Sequence, residues 1–261
     1  MLAGKLCEVI RRSKGSNSPF PFLYEFDSSL ADILLPLAGQ ARNLAQSIQK
    51  DHSRIIEDGL SRTSIGLWAW DCGLRKFTGF IDGHSMLDIR SAGNIAIDSI
   101  PEQQHQAFAK TANKIMDERI GELPELLDCS LYQPNGYTKI PKDQMAIEAR
   151  LTFDYGTNPL LPHTDSGRKI FSLILPLTLP TDCLEFEVEG TCILKPRIPG
   201  LTSFTSNRYP QFLFRPILET KHEIGHFLIF RKTNNSWHAV YPKRRSRTNA
   251  RISLLINIVK K

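Results

Sequence analysis

From Ala146 onward, the chain alternates short apolar segments with Gly, Pro and Asn turns, and no helical periodicity separates them. Ala149, Leu151 and Phe153 alternate with polar residues, which is typical of a strand with one buried face. The segment Ile170–Leu177 is almost continuously apolar, as in a strand buried on both faces. Many short strands without intervening helices predict an antiparallel sandwich or barrel. Further strands are predicted at Leu184–Leu194, Gln211–Phe214, His226–Phe230 and Arg251–Val259.

The first half of the chain has a different, mixed character. A helix is predicted from Asp27 to about Lys50, with Asp27, Ser28 or Ser29 as its N-cap. Proline lacks the backbone N–H that a helix interior needs, so Pro36 must kink this helix or lie in its first turn.

A second helix is predicted from about Pro101 to Leu123, and short strands are predicted around Trp68 and Trp70. The predicted fold class is therefore α+β, mainly β. We expect a double-stranded β-helix (a cupin-like jelly roll) at residues 141–261, buttressed by helices from residues 1–140. A chain of 261 residues fits one such domain.

Composition excludes several classes of protein. No apolar run approaches the ~18 residues that a membrane span needs, and the N-terminal segment lacks the apolar stretch of a secretory signal. The five cysteines are an odd number and include no CxxC pair, which argues against a disulfide framework and a thiolate zinc site. We therefore expect a soluble cytoplasmic protein.

Charge is unevenly distributed along the chain. The net charge is +6, and from Ile224 to the end there are nine Lys and Arg but no Asp or Glu. Arg244 and Arg245 lie in this segment and could form a cationic rim that binds a small anionic substrate. A solvated loop is the alternative. Nucleic acid is a less favoured partner, because no aromatic residues are interleaved for base stacking.

Three residues form a candidate metal site. His163 and Asp165 are two apart in an extended segment, so their side chains point to the same face. His238 follows a later predicted strand. Two imidazoles and one carboxylate make the facial triad of non-haem iron(II), which leaves three coordination positions open. A bidentate 2-oxo acid can take two of these positions, and dioxygen can take the third.

A cation for the far carboxylate of such a 2-oxo acid is available on the last predicted strand. Arg251 lies thirteen residues beyond His238, and its planar guanidinium suits bidentate carboxylate binding. Ser253 can add a hydrogen bond from the same strand face. Asn257 shares this face, whereas the alternate positions are apolar and are predicted to pack on the core.

This set of residues resembles the 2-oxoglutarate/Fe(II)-dependent dioxygenase superfamily, whose pattern is HxD, a distal His and then Arg-x-Ser. The resemblance covers about Arg150 to Ile258. It implies iron(II) as the metal, 2-oxoglutarate and dioxygen as co-substrates, and ascorbate as a reductant. It also implies hydroxylation as the reaction; the basic rim and the modest chain length favour a small, anionic substrate such as a sugar acid, an amino acid or another metabolite. Retention of Asp165 favours hydroxylation over halogenation, with desaturation and ring closure still open.

The segment from His222 to His226 is a literal HExxH, with Glu223 as its acidic residue. On a helix this motif binds zinc in metallopeptidases. Here Pro216 and Gly225 instead predict a turn that leads into a strand, with exposed histidines, and no Asp or Glu follows Glu223 as a third ligand. A zinc metallopeptidase is therefore the disfavoured alternative, as is a non-catalytic jelly-roll binding protein.

Three further residues have two interpretations each. Lys169 and Arg150 are candidate contacts of 2-oxoglutarate, or they are solvated surface residues. Trp237 is a candidate wall of the substrate pocket, or it is a core residue.

Overall fold

The computed structural model describes residues 20–51, 62–72, 76–79, 130–133, 135–154, 159–165, 167–179, 189–203, 207–241 and 250–261. The predicted helix at 101–123, residues 184–188 of a predicted strand, and both Arg244 and Arg245 lie outside these ranges. The elements, in chain order, are β1 (Phe22–Phe26), α1 (Ser28–Asp51), β2 (Arg62–Asp71), β3 (Lys76–Gly79), β4 (Ser130–Gln133), β5 (Gly136–Lys139), a 3-10 helix (Lys142–Gln144), β6 (Met145–Asp154), β7 (Leu160–His163), β8 (Lys169–Pro176), β9 (Glu189–Pro196), a 3-10 helix (Gln211–Leu213), β10 (Phe214–Lys221), β11 (His226–Arg231), β12 (His238–Val240) and β13 (Arg251–Lys260).

Two antiparallel sheets form the fold. The larger has the order β1-β11-β8-β13-β6-β2-β3, and the smaller has the order β10-β9-β12-β7. From β6 to β13 the chain passes repeatedly between them, so that β6, β8, β11 and β13 lie in one sheet and β7, β9, β10 and β12 in the other. This is the topology of a double-stranded β-helix, or jelly roll, and it confirms the predicted fold class.

The helix α1 begins where the sequence predicts. The Asp27 carboxylate accepts the backbone N–H groups of Ser29 and Leu30 at 2.9 and 3.3 Å, so Asp27 is the N-cap. Pro36 lies inside the helix, beyond the first turn. The apolar stripe of the helix is buried; its residues are Leu30, Leu34, Leu37, Ala38, Ala41, Leu44 and Ala45.

The main core lies between α1 and the outer face of the larger sheet. On β13, Ile252, Leu254, Ile256 and Ile258 are all buried and join one apolar cluster with the helix stripe. This outcome confirms the predicted packing of that strand face. Because this face is dry, the opposite face of β13 points into the space between the two sheets.

One predicted strand begins later than expected. Gln211–Leu213 forms a 3-10 helix, and β10 starts only at Phe214. Pro210 has a φ of −60°, and its carbonyl accepts the Leu213 N–H at 3.2 Å. The proline therefore sets a tight turn where apolar content alone indicated a strand.

Among the described residues, no helix combines the length and apolar character that a transmembrane span requires.

Candidate metal centre

The three predicted metal ligands converge in the structure. His163 is the last residue of β7 and lies directly opposite His238, the first residue of β12, in the antiparallel register. Their ring centroids are 4.3 Å apart. Asp165 follows β7 by two residues, and one ligand atom from each of the three side chains lies within 4.8 Å of the others. Strand pairing thus brings together residues that are 75 positions apart in sequence (238 − 163).

Backbone carbonyls set the orientation of both imidazoles. The Nδ1 atom of His163 lies 2.8 Å from the Leu161 carbonyl, and that of His238 lies 3.0 Å from the Ser236 carbonyl. A carbonyl oxygen only accepts, so Nδ1 must carry the proton in both rings. Each Nε2 therefore keeps its lone pair for a metal ion, in the tautomer that metal-binding histidines need.

Both histidines remain neutral at ordinary pH. Burial lowers the pKa of His163 to about 3, and the charge of the neighbouring His238 also lowers it. Burial likewise lowers the pKa of His238. Neutral imidazole is the metal-binding form, so the site does not need to lose protons from these rings when it takes up a cation.

Asp165 is held by two neighbours from β8. One carboxylate oxygen accepts a hydrogen bond from the Lys169 ammonium at 2.8 Å, and the other lies 2.8 Å from the Ser172 hydroxyl. Ser172 also contacts the Asn257 side chain at 2.9 Å. Burial raises the pKa of Asp165, but the charges of Lys169, His238 and His163 and the hydrogen bond from Lys169 together outweigh this effect and hold the pKa below its ordinary value. The carboxylate therefore stays ionised and oriented.

The segment between the first two ligands is anchored as well. Thr164 is fully buried, and its hydroxyl donates to the Ser203 carbonyl at 3.1 Å. Its side chain points away from those of His163 and Asp165, as expected for alternate residues of an extended segment. This contact fixes the backbone that carries the two ligands.

Arg251 and Ser253 lie toward the other end of β13 from the metal cluster. Arg251 pairs in register with Asp154 of β6, and its guanidinium donates to the Asp154 carboxylate at 2.7 Å. It also lies 3.5 Å from the Thr191 hydroxyl. The Ser253 hydroxyl is fully buried and has no hydrogen-bond partner within the described part of the chain. A buried hydroxyl of this kind indicates a place for a polar ligand.

A second lysine lies near the cluster and was not predicted from the sequence. Lys232 follows β11 and is only 3% exposed. Burial lowers its pKa to about 8, while the Asp165 charge opposes this effect. In the structure, Lys232 lies two residues after Phe230, whose ring lies 4.8 Å from that of His238. The sequence alone does not show this proximity.

Lys169 and Arg150 occupy different environments. Lys169 is bound to Asp165, so it belongs to the metal cluster. Arg150 is half-buried, and its guanidinium lies 3.7 Å from the Glu148 carboxylate. The structure therefore brings Lys169 to the metal cluster and shows Arg150 in an ion pair on β6.

Trp237 packs in the smaller sheet's apolar cluster, which bears on the two interpretations that the sequence left open. It is fully buried in an apolar cluster with Cys192, Leu194 and Phe214. Adjacent residues in an extended chain point to opposite faces, so its indole lies on the other side of the small sheet from His238. The packing favours the core interpretation.

The HExxH segment is not helical. His222 follows β10, a turn with Gly225 at φ +89° comes next, and His226 begins β11. The prediction that His222 is exposed was wrong: it is 2% exposed, and its Nε2 donates to the Ile252 carbonyl at 2.8 Å. His226 instead stacks on Tyr24 with ring centroids 5.5 Å apart. The zinc-binding geometry of a helix is therefore absent from this segment.

No family model and no curated protein match this chain. Among solved structures, the chain is similar to IDO from Bacillus thuringiensis, with 11% identity, full coverage of both chains and a TM-score of 0.51. It is also similar to a prolyl-4-hydroxylase from Pseudomonas putida (12% identity, full coverage of both chains, TM-score 0.46). A third similar structure is the non-haem alpha-ketoglutarate-dependent epimerase SnoN from nogalamycin biosynthesis (12% identity, 99% of this chain and 83% of that chain, TM-score 0.45). At these identities the likeness to the Bacillus protein shows a shared fold.

The donor set itself indicates which metal fits. Two neutral imidazoles and one ionised carboxylate are the ligands of non-haem iron(II) sites. Both imidazoles expose Nε2, and the carboxylate is held in place by Ser172 and Lys169. The cluster is thus compatible with the dioxygenase superfamily that the sequence resembles.

Proposed function

We propose that the protein is an iron(II)- and 2-oxoglutarate-dependent oxygenase, in which His163, Asp165 and His238 hold the metal. The observation that carries the proposal is the convergence of these three side chains, with both Nε2 atoms available, inside a double-stranded β-helix. When bound, iron(II) with 2-oxoglutarate and dioxygen supplies the oxidising chemistry, which yields succinate and carbon dioxide. The chain's own residues bind, orient and shield the reactants.

Arg251 and Ser253 bind the distal carboxylate of 2-oxoglutarate in this proposal. Asp154 holds the guanidinium of Arg251, which restricts its motion and orients its planar donor set. The Ser253 hydroxyl, buried on the same strand face, gains in the complex the hydrogen bond that it otherwise lacks. Arg251 and Ser253 form the proposed clamp for 2-oxoglutarate. Their strand, β13, also carries Asn257, which contacts Ser172 beside Asp165, so β13 connects the clamp to the metal cluster.

Hydroxylation of a small, anionic substrate is the reaction we propose. An acidic residue is present at Asp165, so a bound metal would have three protein ligands, which favours hydroxylation over halogenation.

Succinate formation tests the proposal directly. The purified protein, supplied with iron(II), 2-oxoglutarate, ascorbate and dioxygen, is expected to convert 2-oxoglutarate slowly to succinate even without a prime substrate. The Asp165→Ala variant is expected to lose this activity, while Asp143→Ala, which removes an exposed carboxylate, retains it. Equal succinate formation by wild type and Asp165→Ala contradicts the proposal.

A further inference from the structure

Lys232 is a buried cation next to a metal site. Its side chain is 3% exposed, and its ammonium has no hydrogen-bond partner among the residues that the structure describes. The Lys232 backbone N–H donates to the Ile170 carbonyl at 2.9 Å, which ties its backbone to the first residues of β8. A buried, unpartnered ammonium is strongly unfavourable, so it indicates an anionic partner that arrives with a ligand.

Asp165, the acidic group that acts electrostatically on Lys232, is already engaged. Lys232 lies within electrostatic range of Asp165, Lys169 and His238. Both oxygens of Asp165 have neighbours, the Lys169 ammonium and the Ser172 hydroxyl, and in the proposed function Asp165 also faces the metal. Two lysines against one carboxylate give a net charge of +1 (2 − 1), and a divalent metal raises it to +3.

At the Arg251 end of β13, the positive charge is matched among the described residues. There Arg251 is paired with Asp154 at 2.7 Å, so its charge is matched by a carboxylate of the chain. The surplus of positive charge therefore lies at the metal end, on Lys169 and Lys232. A low-dielectric, enclosed site of this kind favours a second anion beside the metal.

We infer that Lys232, together with Lys169, forms an anion subsite beside the metal centre that takes a carboxylate or phosphate group. The inference rests on the proposed function and adds a recognition element that the facial triad and the Arg251 clamp do not include. Two sources share this chemistry: the metal-proximal carboxylate of 2-oxoglutarate and an acidic group of the prime substrate. Separate titrations distinguish them.

A purely structural role for Lys232 predicts a different result. If Lys232 served only to neutralise Asp165, its loss would destabilise the folded protein. A ligand-binding ammonium is instead a cost to the metal-free fold, so the nearly isosteric Lys232→Met variant should unfold at the same temperature as wild type or higher. The thermal midpoint of the metal-free protein thus separates the two roles and verifies that the variant folds.

The experiment uses four proteins: wild type, Lys232→Met, Lys232→Arg and Lys195→Met, which removes an exposed lysine by the same substitution. Each is loaded anaerobically with iron(II) and titrated with 2-oxoglutarate, with the visible charge-transfer band as readout. The 2-oxoglutarate complex is then titrated with inorganic phosphate or acetate, which act as probes for an acidic group of a substrate.

We expect Lys232→Met to weaken binding at least about tenfold in one of the two titrations, as loss of a charge-assisted hydrogen bond does. Weakening in the first assigns the subsite to 2-oxoglutarate, and weakening in the second assigns it to the substrate. Lys195→Met should stay within about threefold of wild type, and Lys232→Arg, which keeps the positive charge, should bind more tightly than Lys232→Met. Unchanged affinities in both titrations for Lys232→Met, or a lower thermal midpoint, would overturn the inference. Absence of the band in wild type instead rejects the proposed function.

Discussion

The two faces of strand β13 have different roles: one packs in the apolar core, and the other carries polar side chains of the proposed site. Ile252, Leu254, Ile256 and Ile258 are buried in one apolar cluster with the stripe of helix α1. Arg251, Ser253 and Asn257 lie on the opposite face: Arg251 and Asn257 contact charged or polar side chains of neighbouring strands, and the Ser253 hydroxyl is buried without a hydrogen-bond partner among the described residues. Because side chains alternate along a strand, a single ten-residue segment supplies both surfaces. The outer face stabilises the fold, and the inner face holds polar groups that are costly without a ligand.

The largest expected effect of a substitution is at the metal ligands, which lie near the polar face of β13. Asp165→Ala or His238→Ala removes one of three protein ligands, and we expect iron binding and turnover to be abolished. The metal content of the purified proteins and succinate formation measure the two effects. Retained decarboxylation of 2-oxoglutarate in both variants would reject the ligand assignment, since the remaining pair of side chains could not hold the metal alone.

On the outer face, a substitution should reduce stability without changing the chemistry. Leu254 is fully buried in the core against α1, and Leu254→Ala is expected to cost about 2–5 kcal/mol of unfolding free energy through lost burial and a cavity. Urea denaturation measures this cost. Iron affinity per folded molecule should remain within about twofold of wild type. A large change in iron affinity together with unchanged stability would show that the two faces are not separable.

A substitution of Arg251 should weaken ligand binding more than it changes stability. We expect Arg251→Ala to weaken 2-oxoglutarate binding by roughly 10- to 100-fold, because a charge-assisted bidentate contact is lost. Iron affinity should change far less, since Arg251 does not belong to the metal cluster. Arg215→Ala, an exposed arginine of β10, is the matched control. Unchanged 2-oxoglutarate affinity in Arg251→Ala would move the clamp to Lys169 or another cation.

The smallest expected effect is at Ser253, the buried hydroxyl of the inner face. Ser253→Ala removes a group without a hydrogen-bond partner among the described residues, so stability should stay the same or rise by up to about 1 kcal/mol. Binding of 2-oxoglutarate should weaken by a few-fold, which isothermal titration can measure. A clear loss of stability together with unchanged 2-oxoglutarate binding would show that Ser253 stabilises the fold and does not bind the ligand.

Much of this architecture follows from local patterns in the sequence. The alternation on β6 and β13 predicts which side chains share a face, and the two-residue spacing of His163 and Asp165 predicts that both reach one ion. The N-cap of α1 is likewise encoded by Asp27 directly before an apolar stripe. These signals are short-range, and the strand pairing then follows from the burial of each apolar face.

The errors arise where tertiary context decides. The apolar residues after Pro210 indicated a strand, but the proline sets a 3-10 turn first. His222 looked like a loop residue, yet the fold buries it against the Ile252 carbonyl. The burial of Lys232 could not be predicted from the sequence, because lysine is rarely buried and its position depends on the packing against β8.

Anaerobic titration of the metal-free protein with iron(II) and then 2-oxoglutarate tests the central claim most directly. The account predicts that a visible metal-to-ligand charge-transfer band appears only when both are present, and that it is lost in Asp165→Ala. A protein that gives no band, yet binds zinc tightly, would contradict the assignment of His163, Asp165 and His238 as an iron(II) and 2-oxoglutarate site.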